Sequence, residues 1–303
     1  MEAFSLQGKV ALVTGGARGI GFETARLAHA RGASVTVIDL DQTAADDAAA
    51  RIGQRTMAIA ADVCDAEAMS DAVERTVDRF GGLDLPVANA GISPPAATMR
   101  IADTDAFERT IEIDLLGVWR TIRPALDQVA ERQGQVVVVS SVYAWMNGAV
   151  AAAYAMSKAG VEQMGRALQI ELAPYGAGAT IAHFGFIDTV MVRHSFADPL
   201  AQEYEDSFPA ILRRRLPPSR AAQGIIDGVE RRAPRVILPR WWRGYFALRG
   251  IINPILDRAM TRDERMLEMV RKADSEERST HRGGLDTTAG TTEGEKYAMK
   301  GSG

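Results

Sequence analysis

The stretch KVALVTGGARGIG, residues 9–21, decides how the rest of the chain is read. Its first half is a short β-branched, apolar run ending in glycines, the pattern of a buried strand. Its second half opens a helical pattern in which Ile20, Thr24, Leu27 and Ala28 share one side. Between the two stand Gly15, Gly19 and Gly21. Glycine there permits a tight turn. It also lets a pyrophosphate approach the free N–H groups and positive dipole end of a helix N-terminus. Turns need glycine for other reasons too, so the motif alone is weak. The context strengthens it: a strand before, a helix after, and an acid about 20 residues on. That acid is Asp39, at the end of the next strand. A carboxylate there accepts both hydroxyls of an adenosine ribose and repels a 2′-phosphate, which favours NAD over NADP. Arg18, a cation beside the loop, argues the other way. The acid outweighs it because it sits on the ribose itself.

Outward from this turn, apolar runs at 34–39, 56–63, 83–91, 135–141 and 178–185 read as strands. Helical spacing covers 42–52, 65–82, about 103–127 with a break near Pro124, and 151–173. Strands alternating with helices of this length build right-handed βαβ units. Nearly all-apolar strands are those buried on both faces. The expected fold is therefore α/β, a doubly wound, mostly parallel sheet with helices on both faces. It forms a single catalytic domain over residues 5–233, with a substrate loop at about 190–215. A basic, aromatic helical extension over 234–273 and a disordered Gly/Thr-rich tail over 274–303 are expected to follow.

The 303 residues are 47% hydrophobic and 24% charged, an ordinary globular composition. A net charge of −4 gives no reason to expect nucleic acid. Cys64 is the single cysteine, so no intrachain disulfide is possible. No run reaches the roughly 18 apolar residues of a membrane span. The first residues lack a basic segment followed by a long apolar run. A cytoplasmic protein without a metal is expected.

The stretch AAAYAMSKAG, residues 151–160, sets Tyr154 and Lys158 four positions apart, on one face of a helix. Alone it reads as a helix face. Its setting is the spacing Gly-x-x-x-Gly-x-Gly and the NAG of residues 89–91. With these the chain resembles the short-chain dehydrogenase/reductase family over about residues 5–190. The resemblance implies a Rossmann-type fold and a nicotinamide cofactor held by Gly15, Arg18, Gly19, Ile20, Gly21 and Asp39. It implies that Asp62 caps the adenine amino group and Val63 backs the ring, and that Asn89, Ala90 and Gly91 line the cofactor cleft. Ile187 and Thr189, in FGFIDT (184–189), would hold the nicotinamide carboxamide. Ser141 lies 13 residues before Tyr154, the family's spacing, and is preferred to Ser140. Phe184 stands where the family usually has proline. Asp114 stands where it usually has an asparagine of the proton relay, and either alters the pH profile or has no consequence. A dimer or tetramer through the helices after the fourth and fifth strands is implied as well.

A free tyrosine has a pKa of about 10 and is a poor base at neutral pH. A nearby ammonium favours the phenolate and lowers that value. On this reading Tyr154 exchanges a proton with a secondary alcohol or ketone, Ser141 hydrogen-bonds the substrate oxygen, and Lys158 supports Tyr154 and holds the nicotinamide ribose. The alternative is a non-catalytic nucleotide-binding scaffold or sensor, against which the intact Ser141, Tyr154 and Lys158 count. A pocket with Trp145, Met191 and Phe196 would suit a bulky apolar alcohol or ketone, steroid- or lipid-like. Residues 213–249 hold ten arginines against two acids, Asp227 and Glu230. Within 235–258, Trp241, Trp242, Tyr245, Leu248, Ile252 and Ile255 recur at helical spacing. That stretch is read either as a helix packed on the domain or a second subunit, or as an interfacial helix on an anionic membrane.

Overall fold

A computed structural model describes residues 3–210 and 212–275. Seven strands form one sheet: β1 Val10–Thr14, β2 Ser34–Asp39, β3 Thr56–Ala60, β4 Leu85–Ala88, β5 Gln135–Ser141, β6 Gly178–Phe184 and β7 Arg235–Leu238. Their order is β3-β2-β1-β4-β5-β6-β7 and every pairing is parallel. The chain winds outward from β1 to β3, then restarts at β4 on the other side of β1. The loops leaving β1 and β4 therefore part in opposite directions, which opens a crevice at the carboxyl ends of the strands. All residues of β1, β4, β5 and β6 are buried, as double coverage by helices requires.

The helices are α1 Gly19–Ala30, α2 Gln42–Ile52, α3 Ala66–Phe80, α4 Thr104–Ile111, α5 Gly117–Ile122, α6 Leu126–Glu131, α7 Ala152–Glu171, α8 Val190–Ser195, α9 Pro199–Asp206, α10 Pro218–Glu230, α11 Trp242–Met260 and α12 Glu264–Ala273. Ala25 and Ala28 of α1 and Ile225 and Ile226 of α10 pack with Val13 and Val37 on one face of the sheet. Val161 and Leu168 of α7 and Val118 of α5 cover Val138 and Ile181 on the other. Burial of this apolar surface, at about 25 cal/mol per Å², is the main force holding the layers together. Asp41, Asp65 and Asp103 start α2, α3 and α4 by accepting hydrogen bonds from first-turn N–H groups.

Two expectations are corrected. The helix expected over about 103–127 has its break at Pro124, a 3₁₀ turn Arg123–Ala125 between α5 and α6, but it is also interrupted earlier, by a π-helical segment Glu112–Leu116 between α4 and α5. Pro124 has no N–H to continue the α pattern, which explains the 3₁₀ turn. The π segment has no such sequence cause, and it carries Asp114. The boundary expected at 233/234 cuts through the sheet, because β7 continues the β6 ladder from Ile181↔Arg235 to Phe184↔Leu238. Four residues flanked by Pro234 and Pro239 are too short to show a strand period.

Beyond β7 the chain folds back. Trp242 is fully buried among Trp145, Tyr245 and Phe246. Met266 and Met269 of α12 pack on Leu200 and Tyr204 of α9. Asp274 accepts hydrogen bonds from Thr98 and Arg100. Of the tail expected to be disordered, residues 276–303 lie outside the described residues. No helix among the described residues is long and apolar enough to cross a membrane.

Candidate active site

The crevice is stitched at its base. Thr14, the last residue of β1, accepts hydrogen bonds at Oγ1 from the N–H groups of Asn89 (3.1 Å) and Ala90 (3.2 Å). Asn89 Nδ2 donates to the carbonyls of Thr14 (3.0 Å) and Gly15 (3.2 Å). Gly15 has φ +60°, the left-handed region that favours glycine. A Cβ on Gly21 would lie 2.1 Å from the Gly15 carbonyl oxygen, so no side chain fits there. Helix α1 begins at Gly19 without a side-chain cap. A helix N-terminus without a side-chain cap leaves first-turn N–H groups for an anion to meet.

Of the other expected cofactor residues, Asp39 and Thr189 stand beside this turn. Asp39, at the carboxyl end of β2, accepts from the N–H of Ala17 (3.1 Å) and of Leu40 (3.0 Å). Its carboxylate is thereby fixed beside the glycine turn. Asp62 accepts from the N–H of Cys64 (2.9 Å), and Val63 beside it is buried. Ile187 is buried and bridges to Leu216. Thr189 caps α8 through the N–H of Val192 (3.2 Å), and its methyl lies 3.6 Å from where a Cβ on Gly19 would be. A helix end without a side-chain cap, a carboxylate at the end of the next strand and two tight glycines fit a dinucleotide.

The reactive side chains come from β5 and α7. Ser141 Oγ donates to the Phe184 carbonyl (3.3 Å) and accepts from the Tyr143 N–H (3.2 Å). Ser140 Oγ instead donates to the Lys158 carbonyl (2.9 Å), which pins α7 to β5. The two adjacent serines thus divide their work, one at the cleft and one in the scaffold. Lys158 Nζ stands 5.4 Å from the centre of the Tyr154 ring. Phe184 is held in the ladder between Ser141 and Leu238, so the sheet supplies the stiffness that a proline would otherwise give.

Asp114 is fully buried. One carboxylate oxygen accepts from the Ile92 N–H (2.7 Å) and the other lies 3.1 Å from Lys158 Nζ. Burial pushes the Asp114 carboxyl up, and the Lys158 ammonium and the Ile92 N–H recover only part of that shift. Burial also acts to lower Lys158, but the Asp114 carboxylate, Tyr154 and the hydrogen bond to Asp114 together raise it. The Tyr154 phenol is raised on balance: Lys158 pulls it down as expected, but burial outweighs that pull. Burial is the largest cause; the pull of Lys158 is opposed by the Asp114 charge, and the Ser141 hydrogen bond lowers it only in part.

Ser141 and Tyr154 face a cleft of about 770 Å³, including its open mouth. Its walls include Tyr143, Phe186, Met191, Phe196 and Tyr204, and among the described residues no charged side chain lines it. Met191 and Phe196 stand where they were expected. Trp145 does not: it packs under α11, with ring centres 5.7 Å from Trp242 and 5.2 Å from Tyr245, and its carbonyl accepts from Asn253 (2.7 Å). The reason is a contact with residues about a hundred positions later, invisible to local pattern. Sequence reasoning missed Tyr143 and Tyr204. Tyr143, whose ring meets Tyr154 edge-on at 5.7 Å, follows Ser141 closely enough to have been flagged. Tyr204 had no local signal; its hydroxyl donates to the Asn147 carbonyl (2.9 Å). Val150, on the same wall, has φ +54°, a strained value for a β-branched residue.

A glycine turn at a helix N-terminus and a cleft lined by a serine and a tyrosine stand together at the carboxyl ends of the strands. The short chain dehydrogenase profile matches residues 9–200, and the chain belongs to that family. It is 38% identical over 201 residues to cis-4-hydroxycyclohexanecarboxylate dehydrogenase of Sinomonas cyclohexanicum, covering 65% of this chain and 80% of that one. It is 34% identical over 209 residues to (-)-trans-carveol dehydrogenase of Rhodococcus erythropolis, covering 62% and 74%. Among solved structures it is similar to the 3-ketoacyl-(acyl-carrier-protein) reductase of Brucella melitensis complexed with NADH, with TM-score 0.68, 26% identity and coverage of 77% and 98%.

Proposed function

We propose that this protein interconverts a neutral, bulky secondary alcohol and its ketone with NAD as the redox partner. The observation that carries the reading is that Ser141 and Tyr154 share one apolar cleft beside the cradle that holds Asp39. The nicotinamide, when bound, gives or takes the hydride. Ser141 Oγ donates to the substrate oxygen and stabilises charge that grows there. The Tyr154 hydroxyl gives a proton to that oxygen in reduction and takes it back in oxidation. The cleft walls orient the ring or chain of the substrate and exclude water. Asp39 supports NAD, because its charge repels a 2′-phosphate. The intact Ser141, Tyr154 and Lys158 count against a scaffold or sensor without activity.

The relative from Sinomonas is named for a ring alcohol that carries a carboxylate. Here the described residues that line the cleft include no cation to meet an acid, which favours a neutral alicyclic substrate, terpene- or steroid-like. A panel of neutral and carboxylated ring alcohols, with NAD⁺ and NADP⁺, tests this by nicotinamide absorbance. Turnover of neutral alcohols with NAD⁺ is expected. Preference for NADP⁺ or for the acids would contradict the assignment.

Exposed Leu116, Trp119, Met156 and Ile170 on the π segment, α5 and α7 support a homodimer or homotetramer of a cytoplasmic enzyme. A second surface is the outer side of α11, where Leu248, Ile251 and Ile255 are exposed near Arg243 and Arg258. It supports peripheral contact of residues 235–258 with an anionic membrane. Sedimentation with anionic vesicles, comparing the protein with Ile251→Asp/Ile255→Asp, tests it; equal recovery in the supernatant would contradict the contact.

A further inference from the structure

Residue 114 faces two hydrogen-bond donors at once. The Ile92 N–H points at one oxygen from 2.7 Å and the Lys158 ammonium stands 3.1 Å from the other. An amide has one acceptor oxygen and an NH₂ group that would turn donor against donor. A carboxylate turns an acceptor oxygen to each and sets its charge against the ammonium in an ion pair. Gly91 lets the pair approach the backbone: a Cβ there would lie 3.2 and 3.4 Å from the two carboxylate oxygens and 3.4 Å from Nζ. The π-helical segment Glu112–Leu116 delivers the side chain to this place. The site is built around an acid at a position where the family resemblance led us to expect asparagine.

We propose that Asp114 is a positioning residue that holds Lys158 in an ion pair and offsets its field at Tyr154, so that Tyr154 serves chiefly as the proton donor of ketone reduction. This rests on the reading of Tyr154 given above. The groups that face the pair are few. From α7 come Lys158 and Tyr154, and from the loop after β4 comes the Ile92 N–H. Tyr143 meets the Tyr154 ring and is kept neutral by burial. Glu162, one turn beyond Lys158, is engaged by His183 and Arg249 instead. With a net neutral Lys158–Asp114 pair beside it, the buried phenol loses the one charge that would draw its proton off. The raised Tyr154 value agrees with that balance. In sign, a raised phenol stays protonated to higher pH. Reduction, which needs the phenol, then persists into alkaline solution, and oxidation, which needs the phenolate, sets in later.

The test is Asp114→Asn, which keeps the shape and removes the charge. In cofactor-free protein, the phenolate absorbance of Tyr154 is isolated as the difference between each form and the same form carrying Tyr154→Phe. Its onset is expected about one pH unit lower in Asp114→Asn than in the parent. The alkaline limit of kcat/KM for reduction is expected to move down with it. If Asp114→Asn does not fold, as checked by circular dichroism, the same titration on Asp114→Ser decides. An onset that stays in place, or moves up, overturns the proposal. Failure of the functional reading would look different, as unimpaired turnover by Tyr154→Phe in an otherwise wild-type chain.

Discussion

The two ends of the sheet are held by different kinds of contact. Around β1, β2 and β4, the crevice is built from short motifs that the sequence displays, Thr14–Gly21, Asp39 and Asn89–Gly91, and bonds across 22 to 76 residues join them. Around β6 and β7, the cleft is built by returns from far along the chain. Asn253 reaches the Trp145 carbonyl, Asp257 is bonded by Asn147, and Asp274 is bonded by Thr98 from 176 residues away. The first region holds the turn proposed for the cofactor. The second builds the far wall of the cleft proposed for the substrate. Short motifs mark the one and long-range returns the other, so mutations in the two regions should fail in different ways.

The largest effect is expected at Gly21→Val. Its Cβ would collide with the Gly15 carbonyl, so the variant should lose about 3 kcal/mol or more of stability. It should also lose NADH binding, read by nucleotide fluorescence. Trp242→Ala strikes the other region. It empties a fully buried site under α11 and is expected to cost about 3 kcal/mol in denaturant unfolding. NADH binding should survive in whatever fraction folds. Asp39→Ser leaves the fold intact and should reduce the preference for NAD⁺ over NADP⁺ by about tenfold or more, roughly 1.4 kcal/mol. An unchanged preference would detach Asp39 from the ribose. Asp274→Ala should be mildest. The bonds to Thr98 and Arg100 are partly exposed, so the melting temperature should fall by no more than about 1 kcal/mol allows. KM should rise a few-fold with kcat unchanged, because the loop before α4 and the α9 wall lose their common anchor.

The same contrast explains what the sequence disclosed. Six of the seven strands announced themselves, since double burial demands apolar runs and the runs are long enough to see. The cradle residues and the Ser141, Tyr154 and Lys158 set were legible because chemistry fixes their types and the helix fixes their spacing. β7 was hidden by its shortness between Pro234 and Pro239. Trp145 was misplaced because its partner is Trp242, and Tyr204 was missed because its value as a wall depends on α9 being pressed down by α12. The raised Tyr154 was not foreseen either. Lys158 was visible four residues away, but the effect of Asp114 on Lys158 depends on a π-helical turn that no residue pattern signals.

The central claim is that Tyr154 moves the proton at the substrate oxygen. It is tested most directly by Tyr154→Phe, with steady-state reduction of a neutral cyclic ketone by NADH measured beside NADH binding. The account predicts that kcat/KM falls about 10³-fold while the dissociation constant for NADH stays within a few-fold of the parent. Turnover near the parent's, with NADH bound as before, would contradict it.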